Sequence, residues 1–212
     1  MNGIIFGDYH SYNDLQLILS QKIIGTPLPK TETIDIPGGD GVLDLTEFHG
    51  ETKFNNRTLT FEFSTIVPQS QFMEVFSRVQ DALHGKKMQI ILEEDSEWYY
   101  VGRITVSEWK AEKSIGKLTI DCDCEPYKNN INETTVSKAV SGTASVVLAN
   151  SRKSVVPTIT TNAQMTISFG TYSGTFSAGT FVIPELVLLE GNNTVTVTGT
   201  GNVSFSYRKG AL

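Results

Sequence analysis

The sequence has few of the features that mark membrane proteins, secreted proteins or nucleic-acid-binding proteins. It contains two cysteines among 212 residues, too few for a four-thiolate metal site. No apolar stretch approaches the roughly 20 residues that span a bilayer. The first residues lack the basic start and apolar run of a secretory signal, so we expect a protein made and folded in a cytoplasm. The net charge of −6 argues against a general affinity for nucleic acid or anionic membrane.

Motifs that carry catalytic or ligand chemistry are also missing. The glycine-rich residues 37–41 lack the end of a phosphate-binding loop and the spacing of a dinucleotide fingerprint, which predicts a turn. His10, His49 and His84 stand in unrelated contexts, and the acidic residues 93–97 lack the ligand order of a calcium loop. A Ser-His-Asp site built from distant residues stays open, but no Gly-x-Ser-x-Gly elbow is present. We therefore predict no catalytic residue, no metal site and no cofactor, and a protein that is not an enzyme.

The first half of the chain is predicted to form strands interrupted by one helix. Leu59, Phe61 and Phe63 alternate with polar residues, as in a half-buried strand. Apolar residues over 72–83 follow the spacing of one helix face, and a glycine at position 85 marks the end of that helix. Cys122 and Cys124 share one face of a later strand, so we expect both to be buried core residues in a reducing compartment. One helix over antiparallel strands predicts an α+β domain with a β-barrel-like sheet.

The second half of the chain differs in composition and charge. It is rich in Thr, Ser, Gly, Asn and Val, and short alternating runs are divided by Gly and Asn turns, which predicts an antiparallel β-sandwich. Past Val136 only five basic and two acidic residues occur, a net charge of +3, so the total of −6 leaves −9 for the part before it. The elements of the first domain end near Pro126, and residues 128–132 are predicted to be a polar linker. We assign residues 1–132 to the first domain and 133–212 to the second, and the fold class is mainly β.

Several short stretches, each a turn with a strand, stand out by their order along the chain. They are Phe-Gly-Asp-Tyr-His-Ser-Tyr-Asn-Asp-Leu at 6–15, Ile-Asp-Ile-Pro-Gly-Gly-Asp-Gly-Val-Leu-Asp at 34–44, the strand after Arg57, Cys-Glu-Pro-Tyr at 124–127, Gly-Asn-Asn-Thr-Val at 191–195, and the closing residues 199–210. Together they resemble the distal tail proteins of phages with long non-contractile tails. The resemblance covers nearly the whole chain, although no single stretch is specific by itself.

The resemblance implies a function as well as a fold. Members of that family are structural hubs of the tail tip: their first domains form a homo-hexameric ring, and a galectin-like β-sandwich lies on the outside. The ring joins the tail tube protein to the tail-associated tip or lysin protein, and in some phages it anchors receptor-binding proteins. We therefore expect a virion protein at the distal tip of the tail, assembled in the host cytoplasm, of free phage or prophage origin. DNA passes through such a ring without sequence-specific binding, and no membrane is involved.

Two regions are predicted to form the assembly interface, because exposed strands and loops need a partner in a ring. The residues are Phe6, Tyr9, Tyr12 and Asp14 in the first stretch, and Pro37, Asp40 and Asp44 in the second. The alternative function is a carbohydrate-binding accessory protein of the host-adsorption device. For that function Tyr172, predicted to lie in a turn, is the one aromatic residue of the second half that we expect to be exposed.

Overall fold

The computed structural model describes residues 3–48, 50–65, 67–112 and 115–212. The chain divides into two compact units, Met1–Pro126 and Tyr127–Leu212. Antiparallel strands make up most of both units, and within the described residues α1 (Phe72–Leu83) is the one α-helix. The predicted fold class, mainly β with a single helix, is confirmed.

The first unit is an antiparallel sheet whose two ends approach each other. Its strands are β1 (Ile4–Phe6), β2 (Tyr9–His10), β3 (Leu17–Ile24), β4 (Thr33–Asp35), β5 (Val42–Asp44), β6 (Arg57–Thr65), β7 (Lys87–Leu92), β8 (Trp98–Glu112) and β9 (Ile115–Cys124). The order in the sheet is β2-β1-β7-β8-β9-β6-β3, and β4 pairs with β5 alone. Lys22 on β3 forms an ion pair with Glu94, just after β7, although the two strands lie far apart in this order. The sheet is therefore curved enough to bring these two residues together.

The core of the first unit lies between the curled sheet and the helix. Leu59, Phe61 and Phe63 of β6 are buried, as their alternation predicts. The helix buries Phe72, Val75, Val79, Ala82 and Leu83, the apolar stripe read from the sequence. It ends before Gly85, whose φ of 76° is a conformation that glycine adopts without strain. The local sequence patterns thus specify both the sheet and the helix of this unit.

The second unit is built around one long two-stranded ladder. Its strands are β10 (Lys128–Asn130), β11 (Thr134–Asn150), β12 (Thr158–Thr161), β13 (Met165–Phe169), β14 (Tyr172–Phe176), β15 (Gly179–Val182), β16 (Gly191–Tyr207) and β17 (Gly210–Ala211). β11 pairs with β16 along its whole length, from Thr134 opposite Tyr207 to Asn150 opposite Gly191. On its other edge β16 pairs first with β13 and then with β12, to which β14 and β15 are added.

The ladder folds back on itself to enclose the second core. Gly142 of β11 has φ 86°, a left-handed conformation that permits a sharp bend. Two contacts then connect residues far apart along the ladder: Lys138 Nζ donates to the Ser145 carbonyl at 2.7 Å, and the Tyr207 hydroxyl donates to the Ala149 carbonyl at 2.8 Å. The buried side chains between the two halves include Leu148, Ile159, Ile167, Leu186, Leu188, Val195, Val197 and Phe205.

Two sequence-based assignments in this region are wrong. Residues 128–130, predicted as linker, form β10, which pairs with β17 in the second unit. Distant side chains stabilise this strand, because Lys153 donates to Asn129 and Arg208 to the carbonyl of Asn130. The residues 199–202, predicted to divide two strands, lie inside β16, where Gly201 with φ 147° bends the strand without ending it.

Candidate assembly interface

A two-stranded arm, residues 26–56, extends the β3–β6 pair beyond the sheet. The Gly25 N–H donates to the Thr58 carbonyl at 2.9 Å, and further along the Asn55 N–H donates to the Leu28 carbonyl at 2.8 Å. The Leu45 N–H then donates to the Glu32 carbonyl at 2.8 Å, which leads into the β4–β5 hairpin. The arm therefore keeps an antiparallel hydrogen-bonding pattern, and within the described residues its β4–β5 hairpin forms a separate two-stranded sheet.

The tip of the arm is shaped by the glycine-rich turn that the sequence predicted. Gly38 and Gly41 have φ of 77° and 76°, and the Gly39 N–H donates to the Ile36 carbonyl at 3.0 Å. Pro37 and Asp40, two predicted interface residues, are exposed in this turn. Left-handed conformations at two positions explain why glycine is needed there.

Asp44, a third predicted interface residue, is exposed and has a structural role. Its carboxylate accepts from the Thr46 N–H at 2.9 Å. The hydroxyl and the backbone N–H of Thr46 hold the pKa of Asp44 below its usual value. The Thr46 hydroxyl also accepts from the Glu32 N–H at 3.1 Å, so it links the two strands of the arm. Asp44 stabilises the base of the hairpin while its carboxylate stays in contact with solvent.

The hairpin exposes large apolar side chains on a regular face. Ile34 and Leu43 are directly opposite each other in the β4–β5 register and therefore share a face, to which Ile36 also belongs. Ile34 is 51% exposed and Leu43 is 49% exposed. Val42, 53% exposed on the other face, and Phe48, 75% exposed, are further exposed apolar side chains of the arm. None of these side chains belongs to either hydrophobic core. Exposed apolar patches of this kind mark surfaces that bind a partner.

Acidic residues border this apolar surface. The arm carries six carboxylates and two lysines, a net charge of −4. The acidic residues are Glu32, Asp35, Asp40, Asp44, Glu47 and Glu51. These carboxylates make the surroundings of the apolar face acidic.

The other predicted region, residues 6–15, divides into core and surface. Phe6 is fully buried, and its ring lies edge-on against Phe61 and Phe63 at centroid distances of 5.8 and 6.3 Å. The prediction of Phe6 as an interface residue is therefore wrong, because β1 lies in the core of the sheet. Tyr9 and Tyr12 are exposed in the turn that follows. Both rings lie outside the hydrophobic core of this unit.

Hydrogen bonds to His10 and Asp14 fix the shape of this turn. The Asp14 carboxylate accepts from the His10 N–H at 2.6 Å. His10 Nδ1 accepts from the N–H groups of Tyr12 and Asn13, each at 3.1 Å, and its Nε2 lies 3.0 Å from Glu93 Oε1. Asp14 therefore positions the turn, and the aromatic side chains are the part of it that faces outward.

Cysteines, histidines and Tyr172 were considered above for catalysis or binding, and those that the structure describes have structural roles. Cys122 and Cys124 are buried with free thiols, and burial raises the pKa of both. His84 Nδ1 accepts from the Val106 N–H at 3.1 Å, whereas His49 lies outside the described residues. Tyr172 is half-buried and packs against the second core, so the expected exposed aromatic for glycan binding is absent at that position. No helix in the described parts of the chain is long and apolar enough to cross a membrane.

The fold is similar to that of a phage protein of known structure. The chain superposes over its full length on the crystal structure of the SPP1 Dit (gp 19.1) protein, described as a paradigm of the hub adsorption apparatus in phages that infect Gram-positive hosts. The TM-score is 0.77 with 13% sequence identity, and the alignment covers 100% of both chains. No protein-family model matches the sequence, and no curated protein matches it. The fold therefore agrees with the family resemblance read from the sequence.

Proposed function

We propose that this chain is the structural hub of a long non-contractile phage tail and that six copies assemble into a ring at the distal tip. The full-length likeness to SPP1 Dit supports the hub role, and the uncovered apolar hairpin supports self-assembly. A contact that is heterologous and closes on itself produces a ring with a central channel. The ring joins the tail tube protein on one side to the tip or lysin protein on the other, and it offers an attachment point for receptor-binding proteins.

In this proposal the arm is the main contact between neighbouring copies. Ile34, Ile36 and Leu43 become buried on the next subunit, while Pro37, Asp40 and Asp44 shape the hairpin and its acidic border. Tyr9 and Tyr12 contribute a second part of the contact. The second unit, which we expect to be galectin-like, lies outside the ring.

The charge of the first unit suits the channel of such a ring. The residues before Val136 carry a net charge of −9, and a negative wall repels DNA that passes through rather than binding it. A ring structure determined by cryo-electron microscopy tests this directly, because a channel wall of Lys and Arg would contradict it.

The experiment that tests the ring and the role of the arm is light scattering across a concentration range, with and without the tail partners. Six copies of 23.3 kDa give a species of about 140 kDa. The double variant Ile34→Thr/Leu43→Thr should remain monomeric, because it removes the apolar face while keeping a residue that favours strands. The matched control Val147→Thr/Val182→Thr changes two side chains of similar exposure in the second unit and should assemble like the natural protein.

The possible outcomes distinguish a failure of the proposed arm contact from a failure of the proposed hub function. Assembly of the arm variant to the same extent as the natural chain would contradict the proposed contact. A chain that stays monomeric even with the tail tube and tip proteins present would contradict the hub function itself.

A further inference from the structure

The tip of the arm carries an aspartate directly before a glycine, Asp40 and Gly41, and a second glycine, Gly39, precedes the aspartate. Asp40 and Gly41 are both exposed, in the segment that connects β4 to β5. Gly41 has φ of 76°, a left-handed conformation that glycine adopts without strain. Apart from its chain neighbours, no atom of the described residues would lie within 4 Å of a Cβ added to Gly41. The peptide bond between Asp40 and Gly41 is therefore open to water.

Two groups at this position can react with each other, the Asp40 carboxyl group and the Gly41 backbone nitrogen. The nitrogen that follows an aspartate can attack the carbon of the aspartate's own carboxyl group and close a five-membered ring. A side chain on the following residue hinders this approach, and glycine has none. Within the described residues, neither the Asp40 carboxylate nor the Gly41 N–H has a hydrogen-bond partner. Both groups are therefore free to approach each other.

We propose that Asp40 and Gly41 form a site of spontaneous modification, at which Asp40 is converted to isoaspartate through a succinimide. The Gly41 nitrogen forms a bond to Asp40 Cγ, and the bond from Cγ to one carboxyl oxygen breaks. That oxygen leaves as water, with the amide hydrogen and one proton that the carboxylate takes up from solvent. A second water molecule then opens the ring and the proton is released. Opening at Cγ restores aspartate, whereas opening at the backbone carbonyl carbon leaves isoaspartate, in which the main chain runs through Cγ.

The other two aspartates of the arm lie in surroundings that oppose this reaction. The Asp44 carboxylate accepts from the Thr46 N–H at 2.9 Å. The nitrogen that would attack it belongs to Leu45, whose N–H donates to the Glu32 carbonyl at 2.8 Å. Both reacting groups are therefore held in hydrogen bonds, and the Leu45 side chain adds a steric barrier. Asp35 lies within β4, where pairing with β5 fixes its backbone.

Isoaspartate at position 40 changes the hairpin that carries the apolar face. It adds one carbon atom to the main chain between β4 and β5, and the length of this connection fixes the register of a hairpin. That register places Ile34 opposite Leu43 on the apolar face. An isomerised chain should therefore be excluded from the ring, so the site limits how long an unassembled chain can still assemble. This last step rests on the proposed function.

Peptide mapping of the full chain, stored at neutral pH and physiological temperature, tests the modification without requiring assembly. Trypsin cuts after Lys30 and Lys53 and releases residues 31–53, which contain all the aspartates of the arm. Electron-transfer fragmentation of this peptide distinguishes isoaspartate from aspartate at each position. Isoaspartate should form about tenfold faster or more at position 40 than at position 44, because hydrogen bonds must break before position 44 can react. Position 35 should also be slower than position 40.

Two controls separate the effect of the fold from that of the local sequence. The first is the same chain unfolded in guanidinium chloride. An exposed turn reacts without unfolding, so native and unfolded chains should form isoaspartate at position 40 at similar rates, whereas at position 44 the native chain should be slower. The second is Asp40→Glu, which keeps the charge but would have to close a six-membered ring. This variant should form no isomer at position 40.

Two results would overturn the modification site. One is isoaspartate that forms no faster at position 40 than at positions 35 and 44 of the native chain. The other is a native rate at position 40 far below that of the unfolded chain, which would show that the fold protects the site. Its consequence for assembly is judged separately, on stored protein separated by size. Isoaspartate should be enriched in the unassembled fraction, and equal content in both fractions would contradict that consequence.

Discussion

Arg57 connects the base of the arm to the rest of the first unit by side-chain contacts. Its replacement should strongly destabilise that unit. The side chain is 7% exposed. Its Nε donates to the Gly25 carbonyl at 2.8 Å, its Nη1 lies 3.4 Å from the Pro126 carbonyl, and its guanidinium carbon is 5.2 Å from the centroid of the Tyr100 ring. One arginine therefore connects the start of the arm, the start of β6 and the last residue of the unit.

The expected loss follows from these contacts. A hydrogen bond from a charged donor contributes about 1.5–3 kcal/mol, and a cation–π contact between two buried groups contributes up to about 2 kcal/mol. The 3.4 Å contact is too long to add much. Arg57→Met keeps the aliphatic stem but leaves the Gly25 carbonyl without its donor, while it also removes the cost of burying a charge. We expect the free energy of unfolding of the first unit to fall by about 2–3 kcal/mol.

Urea denaturation followed by tryptophan fluorescence measures this unit selectively, because Trp98 and Trp109 both lie in it. Arg103→Met is the matched control. Arg103 also donates to a backbone carbonyl, that of Gly85 at 2.6 Å, but it is exposed, so water replaces the lost bond. The control should lose less than about 0.5 kcal/mol. The reasoning is refuted if Arg57→Met loses no more than the control.

Two further predictions concern buried groups outside the interface. Burial raises the pKa of Cys124 to about 12 and shifts that of Cys122 in the same direction, so a thiol reagent at about pH 8 should label neither until urea unfolds the first unit. Rapid labelling of the native chain, detected by mass spectrometry, would contradict this. Tyr207→Phe should cost the second unit about 1 kcal/mol, read from its amide exchange, since the hydroxyl bond to Ala149 is lost. Burial raises the pKa of Tyr207. The protonated phenol therefore stabilises the second unit below about pH 10, and this stability is lost as the pH rises further. If Tyr207→Phe lost the same amount of stability at alkaline pH, the loss would not come from Tyr207.

The elements of the first unit that the sequence predicts correctly are those in which apolar residues recur at the regular spacing of a strand or a helix. β6 and α1 each bury the face that their spacing indicates. β3 was not predicted, because its pairing with β6 is shifted by a bulge between Leu19 and Gln21, which interrupts the alternation of buried and exposed residues. The curvature of the sheet brings Lys22 and Glu94 together, although the two residues are far apart in sequence. Local patterns contain no information about such contacts.

In the second unit, turn-forming residues led to wrong predictions of where strands begin and end. Gly199 and Gly201 resemble a turn in sequence, yet β16 continues through them opposite β11. Tyr172 was predicted in a turn but begins β14, because the chain reverses earlier, at Gly170 with φ 58°. Glycine identifies where the backbone bends, and the pairing partner decides whether the strand ends there.

The arm shows why sequence reasoning locates an interface only in part. Ile34 and Ile36 alternate with Thr33 and Asp35, a pattern that predicts a strand with one buried face. The strand is present, but its apolar face stays half-exposed and belongs to neither hydrophobic core of the described residues. Full burial of such a side chain stabilises by about 1.5–3 kcal/mol, so covering the exposed halves of Ile34, Ile36 and Leu43 would contribute about 2–4 kcal/mol at each contact. A hydrophobic pattern specifies that a face is buried without specifying which molecule buries it. Among the described residues, this apolar face outside both hydrophobic cores is therefore the observation on which the proposed assembly chiefly rests.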